Sequence, residues 1–329
     1  MDSSAAGDRT VVVRAPTRID LGGGWTDVPP YCDEQGGFVC NVAINRYATA
    51  TARADETYRA DPRSAERSGA NDLVAAVLRH ANVPGVRVDL ASDFPVAAGL
   101  GGSSSATAAV LGALTHWQGT DWDRAAIAEQ GRHIEVDEMG IAGGRQDHYA
   151  ATFGGALALT FTDTVRVRRI AIAPATAAEF ERRGMLVYTG ESRVSGSTIN
   201  AVMSAYRDHD SRVRDALATM KMLAHDMATV LESGDLDMLG ALLAEHWLNQ
   251  RSLDPAIPTD RIDEIVMRAQ TAGAVGWKAM GASGGGCVFV LSGADNVDAV
   301  RQVVAPLGTI VPYGLDQAGL SDVSVSPSG

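Results

Sequence analysis

Apolar and polar positions divide the chain into a first half rich in predicted strands and a second half rich in predicted helices. Residues 47–54 alternate small or polar side chains with larger ones, which is the period of a half-buried strand. Two long helical stretches are predicted later, from about Gly196 to Ser233 and from Leu236 to Arg251. The order of these elements predicts an α+β protein rather than a strict alternation of strands and helices.

The remaining elements follow from the same periods and from the glycines between them. Further strands are predicted over residues 10–15, 37–44, 86–92, 185–190 and 309–315, with paired strands within 154–173 and 276–293, and further helices over 71–81, 104–117, 120–138, 177–184, 259–273 and 295–307. Thr120 or Asp121 is available to cap the helix over 120–138. The tail from Ser321 is predicted to be loose. A division near residue 170 predicts domains 1–170 and 171–329.

Composition and charge exclude several classes of partner. Hydrophobic residues make up 46% of the 329 positions, enough to bury a sizeable core. The formal net charge of −12 argues against a nucleic-acid partner. No apolar run reaches the roughly 18–20 residues that span a bilayer, and the first residues lack a signal-peptide pattern. Three scattered cysteines give no disulfide framework, so we expect a cytoplasmic protein without a membrane partner.

The segment GLGGSSSA, which begins at Gly99, places small residues directly before a predicted helix. Backbone amides at a helix start carry partial positive charge, and glycine lets a loop wrap around phosphate oxygens. The segment lacks the lysine of a P-loop and the third glycine of a dinucleotide-binding loop. Two interpretations remain open, a turn with a helix cap or a phosphate cradle made by Gly99, Leu100, Gly101, Gly102, Ser103 and Ser104.

A second glycine-bearing segment, RIDLGGGWTD, begins at Arg18. A backbone without Cβ atoms allows a ligand to approach closely. Tryptophan is able to stack on a sugar ring and a carboxylate to accept hydrogen bonds from hydroxyls, while the alternative is a hairpin turn with a packed tryptophan. In the ligand-binding interpretation the substrate residues are Gly24, Trp25, Thr26 and Asp27.

A third segment, GASGGGC, begins at Gly281 between two apolar stretches. Its glycines exceed what a simple hairpin needs. We interpret it as a loop that supports the substrate or the phosphate loop, with Gly284 and Gly285 nearest the substrate, and a wide turn is the alternative.

Residues 133–155 supply acidic side chains around a glycine turn. Phosphoryl transfer to an alcohol needs one carboxylate near the attacking hydroxyl and another on the metal. Glu135 and Asp147 flank the turn, so both can face one site. Asp137 and Glu138 fit a solvated helix face better, and His148 fits a packing or hydrogen-bonding role better than a metal-ligand role.

The three glycine segments, in this order, resemble those of the GHMP kinases, a family named for galactokinase, homoserine kinase, mevalonate kinase and phosphomevalonate kinase. PVAAGLGGSSSA is similar to the family's ATP loop, APTRIDLGGGWTD to its first motif and GASGGGC to its third motif. The resemblance covers about residues 11–315. It departs from the family at Gly102, where serine is frequent, and in the absence of lysine from the first motif. Arg18 stands where galactokinase-type members have arginine, which indicates the sugar-kinase branch.

Within that branch, two groups are similar to this chain. The fucokinases have a kinase region similar to RIDLGGGWTDVPPYCDEQGGFVCNVAI, and the D-glycero-D-manno-heptose 7-phosphate kinases have segments similar to GGRQDHYAATFGG and GESRVSGSTI. The resemblance implies a two-lobed fold, with an N-terminal α/β lobe that has a left-handed βαβ unit and a C-terminal ferredoxin-like lobe. It also implies transfer from ATP to the anomeric C1 hydroxyl of a sugar, for nucleotide-sugar synthesis.

The family pattern also assigns roles to residues of this chain. Residues 99–104 would hold the phosphates of ATP, and Ser103 and Glu135 would hold Mg²⁺. Glu135 lies twelve residues before Asp147, as in the galactokinase-like pattern. Asp147 would accept or orient the proton of the attacking hydroxyl, and Arg18 would neutralise the charge that develops on the phosphoryl group.

Three alternatives stay open at this stage. A sugar-sensing protein on the same scaffold would bind without catalysis, although the presence of Glu135, Asp147 and Arg18 argues against it. A decarboxylase or isoprenoid kinase of the family is disfavoured by the Trp-Thr-Asp segment. The acceptor is either a free deoxysugar or a heptose 7-phosphate, whose distal phosphate Arg193 could bind, unless that segment is only a capped helix start. The sequence predicts no oligomeric state.

Overall fold

Two β-sheets with helices on their faces form the protein in the computed structural model, which describes residues 9–57, 70–191 and 195–323. The strands are β1 (Thr10–Gly22), β2 (Gly37–Ala54), β3 (Val86–Ser92), β4 (Ala156–Phe161), β5 (Val165–Ile170), β6 (Gly184–Tyr188), β7 (Ala274–Ala279), β8 (Cys287–Ser292), β9 (Thr309–Val311) and β10 (Ser321–Asp322). The helices are α1 (Tyr31–Gln35), α2 (Ala70–Ala81), α3 (Gly102–Trp117), α4 (Arg124–Arg132), α5 (Gln146–Phe153), α6 (Pro174–Arg183), α7 (Ser195–Arg207), α8 (Ser211–Ser233), α9 (Leu236–Ser252), α10 (Asp260–Thr271) and α11 (Val297–Val304). A π-helix (His133–Glu138) follows α4, and a 3₁₀ turn (Ala305–Leu307) follows α11. Within the described ranges, no helix is both long and apolar enough to cross a membrane.

The first sheet is built around β2, in the order β10-β1-β2-β4-β5, with β3 paired to the C-terminal half of β2. Both β3 and β4 run antiparallel to β2, so they are parallel to each other. The chain between them carries α3, α4, the π-helix and α5. The left-handed sense of that crossover stays a prediction. The division into domains at residue 170 also stays a prediction. The first sheet includes β10, which comes from the far end of the chain and pairs with β1.

The second sheet has four antiparallel strands in the order β7-β8-β6-β9. If β6, β7, β8 and β9 are renumbered 1 to 4 in chain order, the order across the sheet from β9 to β7 is 4-1-3-2. Helices separate β6 from β7 and β8 from β9. This order and these connections are those of a ferredoxin-like lobe, so the prediction of a two-lobed α+β fold is confirmed.

A shared apolar cluster lies between the two sheets and fixes how the lobes meet. It contains Ile19 of β1, Phe38 of β2, Met227 of α8 and Phe289 of β8, all almost fully buried. Each buried side chain of this size contributes about 1.5–3 kcal/mol. Leu100 belongs to the same cluster, so the glycine loop before α3 is anchored where the lobes join.

The strands at the start of the chain are longer than their pattern predicts. β1 continues as far as Gly22, and the two predicted strands over 37–54 form the single strand β2. The register between β1 and β2 shifts where Pro16 pairs with Tyr47. Proline has no amide to donate to a ladder, so an irregularity at this point interrupts the pairing without ending either strand.

Several helix boundaries differ from the prediction. The cap of the helix predicted over 120–138 is Asp123, whose side chain accepts a 3.0 Å hydrogen bond from Ala126 N, and its last turn is the π-helix. The stretch predicted over 196–233 is split into α7 and α8 by His209, which has a φ of 62°. Helix α5 was not predicted. The tail was expected to be loose, but Ser321 and Asp322 pair with β1, and residues 324–329 lie outside the described part.

Candidate active site

The glycine loop before α3 presents a helix start without bulky side chains. Gly101 stands at the N-cap with a φ of 74° and has no side chain to offer as a cap. The first amide bonded within the helix is that of Ser105, which donates to Gly101 O at 3.0 Å. The amides of the first turn before it are therefore available to an anion. Ser103 is exposed at this turn, whereas Leu100 and Ser104 are buried.

Arg18 and Asp147 form a salt bridge beside this loop. Arg18 Nε donates to Asp147 Oδ1 at 2.8 Å, and Nη2 lies 2.8 Å from the same oxygen. Nη1 donates to Gly99 O at 2.6 Å, so one guanidinium fixes both the carboxylate and the loop. A Cβ at Gly101 would lie 3.1 Å from Asp147 Oδ2, which places the carboxylate directly against the glycine loop before α3. The Asp147 side chain is 26% exposed and open to a ligand.

Glu135 is a buried carboxylate that lies in the π-helix and faces the start of α3. Its Oε2 accepts from Ser103 Oγ at 3.0 Å, and its Oε1 accepts from Thr107 Oγ1 at 2.6 Å and lies 3.0 Å from His148 Nε2. Burial alone would raise the pKa of Glu135, but the charge of His148 and the hydrogen bonds from His148, Thr107 and Ser103 hold that pKa below its usual value. Glu135 is therefore an ionised group at neutral pH. His148 has the hydrogen-bonding role predicted for it.

Asp27 is buried and accepts hydrogen bonds from the backbone at the start of α5. Its Oδ2 receives the amides of Arg145 at 2.8 Å and of Gln146 at 2.9 Å. Burial raises the pKa of Asp27 to about 6, the Gln146 amide opposes that rise, and the charges of Asp147 and Asp20 add to it. The carboxylate expected to contact the sugar thus holds the first turn of the helix that carries Asp147.

The neighbours of Asp27 in the first glycine segment are also enclosed. Trp25 is 6% exposed and packs in an apolar cluster with Tyr31, although its φ of 81° is uncommon for a bulky residue. The Thr26 hydroxyl lies 2.7 Å from Gly23 O and accepts the Phe38 amide at 3.1 Å. These contacts make Trp25 and Thr26 part of the packing beneath the loop.

Gly24 of the same segment packs closely against the side chains of Asp20 and Gln146. A Cβ at Gly24 would overlap the Asp20 carboxylate and lie 2.9 Å from Gln146 Nε2. Glycine is therefore required here because of space.

The third glycine segment packs on the glycine loop before α3. A Cβ at Gly281 would lie 3.0 Å from Gly99 Cα, and Cys287 N donates to Ala98 O at 2.8 Å. Gly284 N donates to Ile257 O at 2.8 Å, and a Cβ at Gly285 would lie 2.8 Å from Glu191 O. The segment thus braces the loop from the C-terminal lobe. Arg193 lies outside the described residues.

Sequence reasoning missed a buried ion pair that joins the lobes below Arg18. Lys278 Nζ of β7 lies 2.7 Å from Asp20 Oδ2 and donates to Asp20 O at 2.8 Å. Both are almost fully buried. Burial lowers the pKa of Lys278, whereas Lys278 and Arg18 hold the pKa of Asp20 below its usual value against the effect of burial. One signal existed, because Lys278 is one of two lysines in an arginine-rich chain.

His246 is a further residue that the sequence did not single out. Its Nε2 accepts the amide of Gly23 at 2.9 Å, and burial lowers its pKa to about 3. A neutral imidazole is required to accept this hydrogen bond. The His246 side chain therefore connects helix α9 to the first glycine segment.

The side chains present fit a nucleotide with Mg²⁺. The exposed hydroxyl of Ser103 and the ionised carboxylate of Glu135 are oxygen ligands of the kind that Mg²⁺ prefers. The uncapped start of α3 supplies amides for phosphate oxygens. Glu135 contacts Ser103 at the start of α3, and the Arg18–Asp147 pair contacts Gly99 and Gly101 just before it, an arrangement that suits phosphoryl transfer to an alcohol.

Comparisons with known proteins agree with this geometry. The family model described as "GHMP kinases N terminal domain" matches residues 69–155, and the one described as "GHMP kinases C terminal" matches residues 227–306. Together they cover just over half of the chain.

Relatives and solved structures of the same kind extend over most of the sequence. The chain is 28% identical to D-glycero-alpha-D-manno-heptose 7-phosphate kinase of Campylobacter jejuni, over 85% of this chain and 89% of that protein. It is 26% identical to the bifunctional fucokinase/GDP-fucose pyrophosphorylase of Arabidopsis thaliana, over 89% of this chain but 31% of that longer protein. A crystal structure of a D-glycero-D-manno-heptose 1-phosphate kinase from Bacteroides thetaiotaomicron aligns with a TM-score of 0.76 at 23% identity, over 96% of this chain and 99% of that one.

Proposed function

The chain belongs to the GHMP kinase family, and from this premise we propose that it is an ATP-dependent sugar kinase that phosphorylates the anomeric C1 hydroxyl of a heptose 7-phosphate. The observation that carries the proposal is the position of the Arg18–Asp147 pair against Gly99 and Gly101. A carboxylate at this place can meet an acceptor hydroxyl while the start of α3 holds the phosphates that donate to it.

The residues of the pair have separate tasks in the transfer. Asp147 accepts the proton of the C1 hydroxyl while the oxygen of that hydroxyl bonds to the γ-phosphorus of ATP. The bond between the γ-phosphorus and the β–γ bridging oxygen breaks at the same time, and ADP leaves. Arg18 is placed to neutralise charge on the transferred group, since its guanidinium already reaches the loop at Gly99. The third glycine segment keeps the loop in place during this step.

Ser103 and Glu135 are the residues that would hold Mg²⁺. When bound, the ion supplies positive charge to the phosphate oxygens. His148 and Thr107 orient the Glu135 carboxylate from behind through hydrogen bonds to Oε1, as partners of a metal-binding carboxylate commonly do.

The proposed acceptor rests on the relatives and on the sequence. The heptose 7-phosphate kinase of Campylobacter jejuni is 28% identical to this chain and matches it over 89% of its own length, whereas the plant fucokinase is 26% identical and is one part of a longer bifunctional protein. Arg193 remains the proposed contact for the distal phosphate. The plant relative joins a fucokinase to a pyrophosphorylase in one chain, which fits a product that a nucleotidyltransferase consumes. L-Fucose or a related free sugar is the second candidate acceptor.

A substrate panel tests the proposal. ADP release is measured with ATP, Mg²⁺ and in turn heptose 7-phosphate, the same heptose without phosphate, L-fucose, galactose and mevalonate, and ³¹P NMR of the product identifies the phosphorylated carbon. We expect ADP release with heptose 7-phosphate and a phosphate at C1. Faster release with L-fucose would select the second acceptor, release with mevalonate alone would overturn the sugar assignment, and sugar binding without ADP release would indicate a sensing protein.

Arg193→Ala separates the two acceptor classes within one protein. If Arg193 binds the distal phosphate, this variant raises the KM for heptose 7-phosphate and leaves the KM for the unphosphorylated heptose unchanged. Arg212→Ala, which removes an exposed arginine paired with Asp210, serves as the matched control. An equal change in both KM values for Arg193→Ala would contradict the assignment.

A further inference from the structure

Two histidines and a glutamate, none of them assigned to transfer, converge on the surface between α2 and the π-helix. His80 Nδ1 lies 2.7 Å from Glu138 Oε1, and His133 Nε2 lies 3.5 Å from the same oxygen. One ligand atom from each residue lies within 4.8 Å of the others. Zn–N and Zn–O bonds of about 2.0–2.2 Å place the ligands of a tetrahedral site about 3.3 Å apart, a value that lies between the two measured separations.

A fourth side chain orients one of these histidines. His133 Nδ1 lies 2.9 Å from Asp137 Oδ2, and Arg132 Nη1 donates to the same oxygen at 3.0 Å. When Nδ1–H of His133 donates a hydrogen bond to Asp137, the free lone pair of the ring is on Nε2, the atom that faces Glu138. A carboxylate behind a histidine is the usual outer partner of a metal ligand, because it fixes the ring and its tautomer.

The cluster is accessible and has the composition of a transition-metal site. The side chains of His80, His133 and Glu138 are 27%, 53% and 33% exposed, so an ion can enter and water can complete its coordination. Two imidazoles and one carboxylate suit Zn²⁺ and similar ions, whereas Mg²⁺ prefers oxygen ligands. This chemistry differs from that of Ser103 and Glu135.

We propose that His80, His133 and Glu138 bind one divalent transition-metal ion, with Zn²⁺ as the reference ion and Asp137 as the outer partner. The ion joins α2 to the π-helix, two elements that are distant in the sequence. Because the same six-residue π-helix carries Glu135, the ion fixes the segment that holds this carboxylate. Its role is structural, and the proposal does not depend on which sugar the protein phosphorylates.

Zn²⁺ titration of the purified chain without a histidine tag tests the site, with a chromophoric chelator as competitor. We expect one ion per chain, no competition from excess Mg²⁺, and a rise in Tm on addition of Zn²⁺, since an ion that binds only the folded state stabilises it. The double variant His80→Ala/His133→Ala should lose both the uptake and the rise in Tm. Asp137→Asn should keep the three ligands and bind about 10–100-fold more weakly.

His116→Ala is the matched control, since it removes a partly exposed histidine on α3 that lies 3.6 Å from Asp322. It should bind Zn²⁺ as the unaltered chain does. Circular dichroism and Tm without metal show that each variant is folded. The proposal is overturned if the unaltered chain takes up no stoichiometric Zn²⁺, or if the double variant is folded and binds Zn²⁺ as tightly.

Discussion

Asp27 accepts the amide of Gln146 at 2.9 Å, so a residue of the first glycine segment sets the first turn of the helix that carries Asp147. The same Asp27 oxygen accepts the Arg145 amide. Gly144 allows this approach, because a Cβ there would overlap the Asp27 carboxylate. The position of the proposed proton acceptor therefore depends on a side chain 120 residues earlier in the sequence.

Asp27→Asn should stabilise the protein at neutral pH. The pKa of Asp27 is raised from 3.8 to about 6 in the folded protein, so folding favours the protonated carboxyl, and the unaltered chain loses stability as the pH rises between these values. A shift of this size corresponds to about 3 kcal/mol. Urea unfolding at several pH values measures the difference in free energy of unfolding between Asp27→Asn and the unaltered chain. This difference should grow in favour of Asp27→Asn by about 3 kcal/mol as the pH rises through the interval between the two pKa values. A margin independent of pH would contradict the shifted pKa.

Kinetics of Asp27 variants separate a positioning role from sugar contact. Asparagine keeps an oxygen for the two amides, whereas alanine removes it. A positioning role predicts that Asp27→Ala lowers kcat with little change in the KM of the sugar, and that Asp27→Asn retains most of the kcat. If both variants instead raise the KM of the sugar by a similar factor, Asp27 contacts the substrate.

Asp147→Asn should lower kcat by about 10²–10⁴-fold, the usual contribution of acid–base assistance. The asparagine keeps the shape of the carboxylate beside Gly101 but cannot accept the hydroxyl proton. ATP affinity, measured by equilibrium titration without acceptor, should stay nearly unchanged. Full activity of this variant would remove Asp147 from its proposed role.

Glu135→Gln should raise the Mg²⁺ concentration needed for half-maximal activity. The pKa of Glu135 is held below its usual value, so its charge is present at neutral pH and is lost in the variant. The measurement is activity as a function of Mg²⁺ at saturating ATP and sugar. Glu232→Gln, an exposed acid paired with Arg168, is the control and should follow the unaltered curve. An unshifted curve for Glu135→Gln would place the metal ligand elsewhere.

The Asp20–Lys278 pair should show strong coupling in a double-mutant cycle. Removing one member of a buried ion pair leaves an uncompensated charge and costs about 3–5 kcal/mol, whereas replacing both costs much less. We expect Lys278→Met and Asp20→Asn each to lower the free energy of unfolding by this amount, and the double variant to lose less than their sum. Urea unfolding of the four proteins measures the coupling, and additive losses would show that the pair does not act as a unit.

Much of the candidate site can be predicted from the order of the motifs in the sequence. Glycine-rich segments are local signals, so the loop before α3 and the loop that braces it are both visible in the sequence. The resemblance pairs Ser103 with Glu135 and Arg18 with Asp147. The structure brings each of these pairs within hydrogen-bonding distance.

The contacts that the sequence does not reveal join residues far apart. Lys278 and Asp20 are separated by 258 positions, and no period or local motif relates them. The π-helix is missed because apolar spacing over six residues does not separate it from an α-helical turn. The role of Asp27 depends on α5, and the first turn of α5 is held by this side chain from the loop between β1 and β2, more than a hundred residues earlier.

Gly102 departs from the family's frequent serine, and Phe94 supplies the physical reason. A Cβ at Gly102 would lie 2.5 Å from Phe94 Cε2, and the residue does not have a positive φ, so space rather than backbone conformation requires glycine. Gly102→Ser should therefore displace the ring and lower the free energy of unfolding by about 1–3 kcal/mol, as overpacking does. Because the displacement occurs at the start of α3, the KM for ATP should rise as well.

A second substitution shows whether the ring is the cause. Phe94→Leu shortens the side chain that meets position 102, so the double variant Gly102→Ser/Phe94→Leu should recover most of the lost stability and ATP affinity. Gly196→Ser is the control, since Gly196 lies in the first turn of α7 and a Cβ there meets no described atom within 4 Å. It should change neither quantity by a comparable amount. If Phe94→Leu fails to relieve the effect of Gly102→Ser, the loop itself requires glycine, and the departure from the family pattern has a cause other than the packing of Phe94.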